Sequence, residues 1–83
     1  MNYEGMLEYY RKALSHFRLL GNTSLQNSAQ LNLANAYFSL KDTTNARKYY
    51  AAALSLARKR ADDEIFAACL GNLGSMYAAG GNY

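Results

Sequence analysis

Across residues 3–20 the apolar side chains Met6, Leu7, Tyr10, Ala13, Leu14 and Phe17 recur every three or four positions. That interval gathers them on one stripe of an amphipathic α-helix. The same spacing returns on Leu25, Ala29, Leu33, Tyr37 and Leu40, then on Ala46, Tyr49, Tyr50, Ala53, Leu54 and Ala57, and finally on Ile65, Cys69, Leu70, Leu73, Met76 and Tyr77. The pattern predicts four helices, over residues 3–20, 25–40, 43–60 and 63–80, in one all-α domain.

The breaks between them are short. Gly21-Asn22-Thr23-Ser24 stops the first helix, and Thr23 followed three places later by Gln26 has the form of a capping box opening the second. Lys41-Asp42-Thr43 separates the second from the third, with Asp42 or Thr43 as the expected cap. The third helix runs into Arg58-Lys59-Arg60, cations that oppose the negative end of its dipole, while Asp62-Asp63-Glu64 suits the positive start of the fourth. This last junction holds neither glycine nor proline. The charge reversal favours a bend there over a continuous rod, which would ease exchange of helices between two chains.

Shifted by forty residues, the chain repeats itself. Tyr9-Tyr10 returns as Tyr49-Tyr50, Ala13-Leu14-Ser15 as Ala53-Leu54-Ser55, Arg18 as Arg58, and Asn32-Leu33 with Tyr37 as Asn72-Leu73 with Tyr77. One fixed offset in this range is the mark of a solenoid, whose units cannot bury their apolar faces alone.

Within each unit the spacing resembles the tetratricopeptide repeat, a pair of antiparallel helices A and B. The central unit supplies Leu33, Ala34 and Tyr37 on its A helix, then Ala46, Tyr50 and Ala53 on its B helix. Leu73, Gly74 and Tyr77 resemble a further A helix, and Tyr10 and Ala13 the end of a B helix, with Met6 where alanine is usual. The resemblance implies an α-solenoid of four helices in the order B-A-B-A, with Ala34 and Gly74 placed where helices touch. Two features depart from the family pattern. The period is forty residues, as in the longer-helix repeats of kinesin light chains and G-protein signalling modulators, and the customary proline after helix B is missing.

Composition narrows the chemistry. Eighty-three residues make at most one small domain, 51% of them are hydrophobic, and no apolar run is long enough to span a membrane. A lone cysteine, Cys69, fits a reducing compartment, so a cytoplasmic location is expected. The net charge of +3 is spread over interspersed side chains, a poor basis for nucleic-acid binding. Arg47, Lys48 and Arg58-Lys59-Arg60 all lie on a B helix, which the resemblance puts on the convex side. An RNA-binding helical repeat is accordingly the weakest of the readings considered.

Catalysis has little to stand on. The single histidine, His16, has no cysteine or paired carboxylate at helical spacing, and Cys69 lies on an apolar stripe with no cation within a turn. Asp62-Asp63-Glu64 reads as a cap and dipole partner in preference to a metal site. Gly71 and Gly74 sit inside an apolar helix, where close helix contact explains them better than a phosphate loop. A non-enzymatic protein with no cofactor and no metal is expected.

What remains is surface. In the family the A helices line a concave groove, and the resemblance makes Asn32, Asn35, Asn72 and Ser75 candidates for holding a peptide backbone, the alternative being that these amides bond neighbouring helices. No lysine or arginine lies on either A helix, which argues against a clamp for a terminal carboxylate. The chain begins in a B helix, ends in an A helix, and carries Asn2-Tyr3 and Asn82-Tyr83 at the same point of the cycle. Its terminal helices therefore lack partners, and Tyr3, Met6, Tyr10, Leu14, Leu70, Leu73 and Tyr77 are candidates for head-to-tail self-association. The expected function is a scaffold or interaction module that binds protein or peptide as a homo-oligomer. The alternative is a fragment or engineered piece of a longer peptide receptor.

Overall fold

The computed structural model describes residues 2–80, and every element in it is a helix: α1 (Tyr3–Leu20), α2 (Thr23–Ser39), α3 (Thr43–Arg60) and α4 (Asp63–Gly80). No strand occurs among the described residues. The terminal match of Asn82-Tyr83 to Asn2-Tyr3 falls partly outside them, as does Gly81.

One junction chemistry is used three times. Gly21, Lys41 and Ala61 each take the left-handed conformation, with φ of 69°, 63° and 54°. At each, backbone N–H groups turn back onto the carbonyls of the finished helix, as in Asn22 N–H to Phe17 O, Asp42 N–H to Tyr37 O and Asp62 N–H to Ala57 O. The residue after the left-handed one then caps the next helix. Asn22 Oδ1 accepts from Leu25 N–H at 3.1 Å, Asp42 Oδ1 from Asn45 N–H at 3.2 Å, and Asp62 Oδ1 from Ile65 N–H at 3.1 Å. Asn2 does the same for α1 through Gly5 N–H.

This geometry corrects one expectation and decides between two alternatives at another junction. Thr23 is the first helical residue of α2 and Asn22 is its cap, because an amide oxygen one residue earlier already satisfies the free N–H. The rod alternative for residues 58–65 is also excluded: Ala61 adopts the left-handed conformation despite its Cβ, and Asp62 captures the free N–H beyond it.

α2 is the centre of the stack. It packs against α1 on one side and α3 on the other, and also touches α4, which itself rests on α3. The core joins Leu7 and Leu14 of α1, Ala29, Leu33, Ala34, Ala36 and Tyr37 of α2, Ala46 and Tyr50 of α3, and Met76 of α4. Two amides are buried with them. Asn27 Nδ2 donates to Ala53 O at 2.9 Å and Gln30 Nε2 to Asn27 Oδ1 at 2.9 Å, so α2 and α3 are held by a satisfied polar pair inside an apolar seam.

Gly74 does not mark a close helix contact. Its counterpart Ala34 is fully buried between α2 and its neighbours, but a Cβ at Gly74 or at Gly71 would meet nothing within 4 Å. The small residue is present on α4, and no helix covers it among the described residues.

Candidate interaction site

Two surfaces stand out, one on α4 and one between α1 and α2. The first is the exposed side of α4. On α2 this side meets α3: Tyr37 stacks on Tyr49 with ring centroids 5.6 Å apart and planes within 8° of parallel. The corresponding positions of α4 face outward, with Leu70 at 50% and Tyr77 at 37% exposure, whereas Gln30, the counterpart of Leu70, is only 5% exposed.

The second surface is a groove of about 370 Å³ between α1 and α2, lined by Tyr9, Tyr10, Ala13 and Phe17 from one helix and Leu25, Ser28, Ala29 and Asn32 from the other. Adding forty to each gives Tyr49, Tyr50, Ala53 and Ala57, then Ile65, Ala68, Cys69 and Asn72. Within the chain these surround α2. Tyr49 stacks on it, Tyr50 donates its hydroxyl to Asn35 Oδ1, Ala53 O accepts from Asn27, and Asn72 Nδ2 donates to Asn35 Oδ1 at 3.0 Å. The groove between α1 and α2 is thus lined by the forty-residue counterparts of the residues around α2, and no helix fills it among the described residues.

The candidate peptide contacts divide. Asn35 and Asn72 are tied to each other across α2 and α4, and Asn35 Oδ1 also receives Tyr50, so this oxygen is spent on joining three helices. Asn32 and Ser75 are exposed, Asn32 as a wall of the groove.

The self-association candidates divide as well. Tyr10 lines the groove, and Tyr3, Met6 and Leu73 are half-buried. Leu14 must be reassigned: at 5% exposure it belongs to the core with Leu7, because a B helix carries two apolar stripes and Leu14 lies on the one that faces α2. Tyr9, Ala13, Phe17, Leu25 and Ser28 also line the groove, and none of them was among the contact candidates. The forty-residue shift itself was the available signal, since it maps each of them onto a wall of the α2 seat.

The titratable groups here are quiet ones. Burial pushes the Tyr50 phenol up to about 12 and raises the Cys69 thiol, which keeps both protonated at neutral pH. Among the described residues no three histidine, cysteine or acidic side chains are grouped as metal ligands, and no helix is long and apolar enough to cross a membrane. Three of the cations of α3 have local partners: Arg58 lies over Phe66, Lys48 over Tyr49, and Arg60 donates to Thr23 Oγ1.

Comparison with known families agrees with this architecture. The family model described as tetratricopeptide repeat matches residues 25–83, well over half of the chain. The chain belongs to the tetratricopeptide-repeat family. In its terms α2 and α4 are A helices, and α1 and α3 are B helices. Tetratricopeptide repeats are non-catalytic modules that mediate protein–protein interactions, and they bind proteins or peptides. Neither the curated proteins nor the solved structures gave a match to the chain.

Proposed function

We propose that this tetratricopeptide-repeat chain is an interaction module that self-associates through its two end faces, head to tail or by exchange of helices. One contrast carries the reading: positions sealed on α2, such as Ala34 and Gln30, are open on α4 as Gly74 and Leu70. Repeats of this kind gain stability from each neighbour added, so apolar end faces favour a further unit. The buried, protonated Cys69 fits a reducing, cytoplasmic setting.

Mass measured by light scattering over a concentration series tests the proposal. The average mass is expected to rise with concentration. A constant monomer mass at the highest concentration reached rejects it.

A second reading keeps the A-helix side for an extended peptide, with Asn32, Asn35, Asn72 and Ser75 in contact. Its support is that the Asn35–Asn72 pair is exposed, leaving amide groups within reach of a peptide backbone.

A further inference from the structure

Resting on the self-association reading, the internal seat of α2 specifies how two copies would meet. We infer that α4 of one copy lies in the groove between α1 and α2 of the next, in the register that α2 holds against α3 and α4. The interface between copies then repeats the interface within the chain.

Three matches of residues set this register. The Tyr37–Tyr49 stack becomes a stack of Tyr77 on Tyr9 of the receiving copy, and both members are identities of the forty-residue shift. Tyr9 is 69% exposed and meets Tyr10 edge-on at 5.5 Å, whereas its counterpart Tyr49 is stacked on Tyr37. Asn35, which accepts from Tyr50 and Asn72, becomes Ser75, whose hydroxyl oxygen can accept from Tyr10 and Asn32.

The third match lies on the outer side of the seat. There α2 presents Gln26 and Gln30 to a depression lined by Ala52, Ser55, Leu56 and Lys59. Shifted by forty, that lining becomes Lys12, Ser15, His16 and Leu19, which together with Glu8 and Arg11 bound a depression of about 400 Å³ on α1. Opposite it α4 carries Leu70 in place of Gln30. A polar pair, Gln30 near Lys59, is replaced at the ends by an apolar one, Leu70 near Leu19, and Leu19 is 87% exposed. Covering two leucines favours association, whereas leaving them in water does not. The contact joins unlike surfaces, so copies add in one direction and the assembly grows in steps of one chain.

Singly blocked chains provide the test. Leu70→Glu spoils the incoming helix and Tyr9→Glu the receiving seat, and both positions are exposed, so the fold should survive. Each variant alone should stay monomeric, and an equimolar mixture should form a dimer of twice the monomer mass that grows no further. A mixture that remains monomeric while the unaltered chain associates overturns the register, as does pairing of either variant with itself. A closed dimer of the unaltered chain, the product of helix exchange, overturns it too. A strict monomer of the unaltered chain instead rejects self-association as a whole.

A second measurement needs no charge in the interface. In a Cys69→Ala background, a short bismaleimide should join a Tyr9→Cys chain to a Tyr77→Cys chain. Links only between two like chains would overturn the proposed contact.

Discussion

Asn27 and Gln30 are polar residues on the buried side of α2, and their counterparts on α4 are Ala67 and Leu70. The pair survives burial because each amide finds a partner, Asn27 on Ala53 O and Gln30 on Asn27. Replacing Asn27 alone by alanine leaves the Gln30 amide buried without an acceptor, at a cost of roughly 1–3 kcal/mol. Asn27→Ala should therefore lower the urea midpoint, and adding Gln30→Leu, which copies the α4 pair, should recover part of the loss. Tyr50 gives a second residue-scale outcome. Its folded pKa of about 12 lies above the ordinary value near 10, so between these limits the unfolded chain binds fewer protons than the folded one. Its contribution to stability is complete below pH 10 and should fall as pH rises toward 12. Thermal melts at pH 9 and 11 should show this loss, and Tyr50→Phe should make it smaller.

At the scale of elements, the junctions determine whether four helices or fewer exist. The left-handed residue is glycine at position 21 but lysine at 41 and alanine at 61, where a Cβ makes the conformation costly. Ala61→Gly should stabilise the chain by about 0.5–1 kcal/mol, the relieved strain being offset in part by a more flexible unfolded state. Gly21→Ala should destabilise it by a similar amount. For a domain of this size each kcal/mol moves the melting midpoint by about 4–8 °C, which calorimetry resolves. The capping residues were readable in the sequence. Asn2, Asn22, Asp42 and Asp62 recur every twenty residues. Thr23 with Gln26 fits a capping box as well as Asn22 fits a cap, since both patterns satisfy the same N–H groups.

For the whole molecule, the proposed register puts the contact on α4 and on the groove between α1 and α2. A chain shortened to end at Gly80 should keep the concentration-dependent mass of the full chain. Loss of association on shortening would show that the last residues form the contact themselves.

Helical periodicity, the forty-residue shift and the alternation of small and large residues determined, without coordinates, that this is an all-α repeat and where Tyr37, Ala34 and Tyr50 stand in it. These follow from sequence because they depend on local spacing and on packing that each unit repeats. Which stripe of a helix meets which neighbour was decided only by the tertiary structure. It placed Leu14 in the core, left Gly74 open and emptied the seat beside Tyr9, because burial depends on which helices are present around a side chain as well as on the side chain itself.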